Sequence, residues 1–127
     1  MSVQWTDEQQ RAIDARGGHI LVSAAAGSGK TAVLVERLTQ RVINQEDPLT
    51  ADRILVATFT NAAAKEMKTR VIEAIEAKIK DAPDDLYLKK QRQMMNRAQI
   101  TTIHSFCLSI LRENYYRIGL DTSFRFA

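Results

Sequence analysis

The chain has 127 residues, 45% of them hydrophobic and 26% charged, which is the balance of an ordinary globular protein and excludes a disordered or fibrous one. That length holds one domain with a single core, not two. Eighteen Lys and Arg against fifteen acids leave a net charge of +3, which permits a polyanionic partner without demanding one.

The opening residues, Met1 to Glu8, carry neither a basic n-region nor an apolar h-region, so no signal peptide is expected. Thr6 followed by Asp7, Glu8 and Gln9 combines a hydroxyl N-cap, early acids and a capping-box glutamine, and predicts a helix running to about Ala15. Gly17-Gly18 stops it. His19 to Ser23 is a short apolar run that predicts a strand buried on both faces. A glycine-rich loop follows, then a helix from Gly29 to about Asn44, with Val33, Leu34, Arg37, Leu38, Arg41 and Val42 at helical spacing. Asp47-Pro48 breaks that pattern.

Arg53 to Thr58 predicts the second strand. The helix after it, from about Asn61 to Lys80, places Ala64, Met67, Val71, Ile75 and Ile79 on one stripe and pairs Glu76 with Lys80 at four-residue spacing. A loop at Ala82 to Asp84 leads to a further helix, Asp85 to Arg97. Gln99 to Ile103 predicts the third strand, and Ser105 to Tyr116 the last helix, closed by Gly119. A new apolar segment begins at Ser123. Strand and helix alternate three times, which predicts an α/β fold with a parallel sheet covered by helices. No apolar run approaches a membrane span.

Four segments carry chemistry. Ala24-Ala25-Ala26-Gly27-Ser28-Gly29-Lys30-Thr31 has the order of a P-loop. A helix N-terminus offers unpaired N–H groups and the positive end of its dipole to a phosphate, and Gly27 and Gly29 allow the backbone to wrap it. Lys30 then reaches the β- and γ-phosphates of ATP, and the Thr31 hydroxyl ligates Mg2+. Ala24 replaces the usual first glycine. The alternative is a plain glycine-rich turn. Gln9, on the helix before the loop, has an amide with both donor and acceptor that suits the edge of adenine, although an exposed glutamine is usually just solvated.

Thr58 to Met67 follows the second strand, where ligands of open α/β sheets bind. Phe59, Thr60 and Asn61 there suit single-stranded nucleic acid, by stacking and phosphate hydrogen bonds. The competing reading packs Phe59 in the core and uses Thr60 or Asn61 as a helix cap. Thr101 to Cys107 takes the equivalent place after the third strand. His104 and Cys107 lack an orienting acid for nucleophilic catalysis, and Cys107 reads as a small core residue. As the sole cysteine it forms no internal disulfide, and a cytoplasmic location is expected.

Taken in order, these segments resemble the N-terminal part of superfamily 1A DNA helicases of the UvrD/PcrA/RecB type. Gln9 matches that family's Q motif, 24–31 its motif I, 58–67 its motif Ia, and 102–107 its next DNA-contacting motif. Residues 24–37, and the tail from Tyr115-Tyr116 through Asp121 to Phe124-Arg125, look like the helicase–nuclease subunits of bacterial AddAB (RexAB) recombination complexes. The resemblance implies a P-loop NTPase (RecA-like) domain, here the N-terminal part of helicase domain 1A. It implies Lys30 and Thr31 as catalytic residues, with Gln9, residues 24–31 and Arg37 at the nucleotide. Phe59, Thr60, Asn61, Thr102 and His104 would lie along single-stranded DNA. It further implies ATP-driven processing of double-strand DNA ends, ATP and Mg2+ as cofactors, and an AddB/RexB-like partner in a heterodimer.

One element of that family is missing from the sequence. Hydrolysis needs an acid at a strand end to position magnesium and water, but the second predicted strand ends in Thr-Phe-Thr and the third in His-Ser. The expectation is therefore a partial domain that stops before motif II, the piece of a larger protein, inactive alone. The alternatives are a non-catalytic nucleotide- or DNA-binding module, or another P-loop NTPase such as a kinase.

Overall fold

In the computed structural model, which describes residues 3–25, 27, 29–121 and 123, the elements appear in nearly the predicted order. Helix α1 is Asp7–Asp14, and its capping box is complete: Thr6 accepts from the Gln9 N–H and Gln9 Oε1 accepts from the Thr6 N–H at 2.9 Å. Helix α2, Lys30–Ile43, begins after the loop. A 3-10 turn, Ala51–Arg53, leads into β1, Leu55–Thr58. Helix α3 is Asn61–Asp81 and α4 is Leu86–Met94, followed by a 3-10 turn at Met95–Arg97. Strand β2 is Gln99–Thr102, and α5, Ile103–Asn114, ends in a 3-10 turn at Tyr115–Arg117. The apolar segment expected from Ser123 onward lies, beyond Ser123 itself, outside the described residues.

The sheet has two parallel strands, with Leu55 opposite Gln99 and Thr58 opposite Thr102. The strand expected at His19 to Ser23 does not form. A strand exists only through its pairing, and β1 and β2 pair with each other while no described strand lies against 19–23. Its apolar side chains are exposed instead, Leu21 by 94%.

The core lies between α2, α3, α4 and one face of the sheet. Val42, Val71, Ile75 and Met95 are its most enclosed apolar side chains, with Ile54, Ala64, Met67, Ala98 and Ile100 around them. The α3 stripe read from the sequence faces it, Ile79 packing at the edge. Glu76 bonds to Arg92 at 2.7 Å and not to Lys80, because α4 folds back on α3 and brings Arg92 within reach. The α2 stripe is split between two neighbours. Val35 and Val42 enter the main core, whereas Arg37 turns toward α1.

A buried polar lock closes the far end of the core. Gln91 Oε1 accepts from the Ala51 N–H at 3.0 Å, and Gln91 Nε2 donates to the Tyr87 hydroxyl at 2.8 Å and the Leu49 carbonyl at 3.3 Å. Tyr87 in turn donates to the Val42 carbonyl at the end of α2. Among the described residues no buried side-chain polar atom lacks a partner, as a well-specified interior requires. Gln91→Ala strips three groups of their partner at once and is expected to cost about 2–4 kcal/mol. Ile75→Ala is expected to cost about 2–5 kcal/mol through the cavity it leaves. Both are read from the urea midpoint, and an unchanged midpoint in either contradicts this packing.

Candidate functional site

The glycine-rich loop enters α2 through two left-handed glycines, Gly27 at φ 80° and Gly29 at φ 87°. Side chains cannot adopt that backbone without strain, so the loop needs glycine there. Gly29 is the N-cap of α2 and supplies no side-chain cap. The other α-helices are each capped by a side chain: Thr6 for α1, Thr60 for α3, Asp85 for α4 and Thr102 for α5. No acid stands in the first turn of α2 either. Its N-cap thus supplies no side-chain acceptor to the first N–H groups, and the dipole there favours an anion. Lys30 and Thr31 begin the helix and are exposed, as are Ala24, Ala25 and Gly27. Ala26 and Ser28, expected in the same cradle, lie outside the described residues.

Helix α1 lies against this end of α2. A Cβ at Gly29 would sit 3.4 Å from Gln9 Nε2, so the Gln9 amide borders the loop. The bond from the Thr6 N–H to Oε1 fixes the plane of that amide and leaves its Nε2 side toward the loop. A cavity of about 570 Å³ opens here, lined by Gln9, Ala12, Ile20, Val22, Ala24 and Lys30 among others. The apolar segment expected as a strand forms one wall of it.

Arg37 is not pointed at the loop. Its Nη1 donates to the carbonyls of Ala12, Ile13 and Ala15 at 2.8, 3.2 and 2.7 Å, the last turn and exit of α1. Partial burial, and then the charges of Arg16 and Arg41, hold its pKa below the usual guanidinium value. Sequence reasoning missed this contact, although a charged residue among the spaced apolar positions of α2 was its signal.

A second surface forms at the carboxyl ends of the strands. Because Thr58 stands opposite Thr102, α3 and α5 start from neighbouring strand exits. Thr60 Oγ1 accepts from the Ala63 N–H at 3.1 Å, and Thr102 Oγ1 accepts from the Ser105 N–H at 3.2 Å. The capping reading of Thr60 therefore holds. The core reading of Phe59 does not: the residue is 95% exposed, because β1 ends at Thr58 and the chain leaves the sheet before the cap. Asn61 and His104 are exposed beside it, whereas Thr102 is buried under its own cap. Cys107 is exposed as well, correcting its expected place in the core, since α5 buries none of its residues. Among the described residues no three His, Cys, Asp or Glu side chains gather as a metal site, and no helix is long and apolar enough to cross a membrane.

Residues 5–127 match the family model described as the UvrD/REP helicase N-terminal domain. The chain is 97% identical over all of its 127 residues to an ATP-dependent helicase/nuclease subunit of Exiguobacterium sibiricum, of which it spans 11%. It is 56% identical over 124 residues, 98% of its length, to the protein of that name from Anoxybacillus flavithermus, and 55% identical over the same span to that of Bacillus cereus. It covers 10% of each of the latter two. The exposure at the strand ends has a direct check. Phe59→Ala is expected to leave stability within about 0.5 kcal/mol, and Thr60→Ala to cost about 1 kcal/mol through the lost cap. A large loss for Phe59→Ala in denaturant titration contradicts the exposed ring.

Proposed function

This chain belongs to the UvrD/REP helicase N-terminal domain family, and we propose that it supplies the ATP-binding loop and part of the single-stranded DNA path of an ATP-dependent helicase–nuclease. The observation that carries this reading is the head of α2: an uncapped helix N-terminus entered through left-handed Gly27 and Gly29, with Lys30 at its first position. Such a terminus binds phosphate. Among the described residues nothing beyond its chain neighbours lies within 4 Å of a Cβ built at Gly27, so the space beside that residue is open.

In this reading residues 1–127 are the N-terminal part of a RecA-like P-loop domain, domain 1A of the helicase. Lys30 neutralises the β- and γ-phosphates, and residues 24–29 wrap them with backbone N–H groups. Thr31 is the hydroxyl ligand for Mg2+, which when bound neutralises the phosphate charge and orients the leaving group. Gln9 reads the adenine edge, and Arg37 stands on the nucleotide side of the domain. Single-stranded DNA crosses the strand exits: Phe59 stacks on a base, Thr60, Asn61 and His104 track the backbone, and Thr102, buried beneath, shapes the path by capping α5. The N-termini of α3 and α5, with no acid in either first turn, suit its phosphates.

The relatives' shared name, which describes a subunit of an ATP-dependent helicase/nuclease, supports the helicase–nuclease part of this reading. In it, the whole protein is a cytoplasmic enzyme that opens and trims double-strand DNA ends for recombination repair, with an AddB/RexB-like second subunit. The strand ends of this chain carry Thr, Phe and His where hydrolysis calls for an acid. The chain alone therefore binds nucleotide without turning it over.

In the full-length protein with its partner, ATPase activity is expected to rise steeply with single-stranded DNA. Lys30→Ala is expected to lower it by about 100-fold or more. Equal rates with and without DNA contradict the helicase reading. Steady-state hydrolysis by the purified 127-residue chain contradicts the division of labour.

A further inference from the structure

Helix α1 is only eight residues long, too short to hold itself in water. Its described packing partner is α2. At one end of the contact the Gln9 amide meets Gly29; farther along, the Arg37 guanidinium grips the carbonyls of Ala12, Ile13 and Ala15. Ile13, in the turn that Arg37 grips, is fully buried. Helix α1 thus runs along the first two turns of α2 with Ile13 as a pivot. A tilt about that pivot swings Gln9 toward or away from the loop.

We infer that Arg37 is a positioning residue for nucleotide choice: it braces the carboxyl end of α1 so that the Gln9 amide stays at the rim of the phosphate loop, and it acts on the base through Gln9. The inference rests on the proposed reading of that rim as the place of adenine. Helix-end carbonyls lack partners within the helix and carry partial negative charge, so a guanidinium is the group that holds them best. Arg16 Nη1 also donates to the Ile13 and Ala15 carbonyls, at 2.9 and 3.0 Å. It comes from the chain just past α1 and moves with it, so it satisfies the same acceptors without tying them to α2. Arg37 alone of the two reaches across.

The test is the ratio of ATP to GTP binding constants in the full-length protein with its partner. Gln9→Ala is expected to reduce the ATP preference by about tenfold, the worth of one hydrogen bond at the base. Arg37→Ala is expected to reduce it by a similar factor, and Gln9→Ala/Arg37→Ala no further than Gln9→Ala alone. Arg37→Lys, which keeps the charge and loses the fork, should fall in between, and decides the matter if the alanine variant does not fold. Arg16→Ala should keep the wild-type preference. General loosening of the domain weakens both nucleotides alike and leaves the ratio unchanged.

Wild-type preference in Arg37→Ala or Arg37→Lys overturns the inference. So does a double variant that falls below Gln9→Ala, which would mean that Arg37 touches the base itself. An unchanged preference in Gln9→Ala removes the adenine reading on which the inference stands. Loss of both nucleotides in Lys30→Ala, by contrast, reports only on the phosphate loop.

Discussion

Helix α2 starts on a residue that gives it no cap. Gly29, held in the left-handed region, turns the chain into the helix and leaves the first-turn N–H groups without a side-chain acceptor from the cap position. The other α-helices satisfy that need with a threonine or an aspartate. An uncapped terminus costs about 1 kcal/mol relative to a capped one. An anion placed there would recover the interaction.

The packing of α2 extends this constraint through the domain. One side of the helix, with Val35 and Val42, enters the core shared with α3 and the sheet. Another side, with Arg37, holds α1 and its Gln9 amide. Helix α3 in turn begins at the β1 exit, where Phe59 and Asn61 stand exposed. The loop at the head of α2 and the surface at the head of α3 thus belong to one packed unit. The Gln91–Tyr87 lock ties the far end of α2 to α4 and the 44–51 loop, which keeps that unit from opening at its base.

Local chemistry was legible in the sequence. The Thr6–Gln9 capping box, the left-handed glycines of the loop, the Thr60 cap and the α3 stripe each depend on residues within a few positions of one another, and each forms as expected. What failed was non-local. Hydrophobicity at 19–23 says that the segment seeks cover but not from what, and it lines a cavity wall in place of a strand. Glu76 had a partner at the right helical spacing, yet Arg92 arrives from another helix. Cys107 follows its helix, and α5 lies on the surface. Arg37 required knowing that α1 lies beside α2. Gln91 gave no warning, since one glutamine in a polar helix looks solvated until three groups converge on it.

In the proposed reading, nucleotide at the head of α2 and single-stranded DNA at the heads of α3 and α5 occupy two separate surfaces of one packed unit. Amide hydrogen exchange on the full-length protein tests it directly. A non-hydrolysable ATP analogue should protect residues 27–34 and the α1 segment, and an oligonucleotide should protect residues 58–64 and 102–107. Nucleotide protection that leaves the loop before α2 unchanged, or that appears only at the strand exits, contradicts the account.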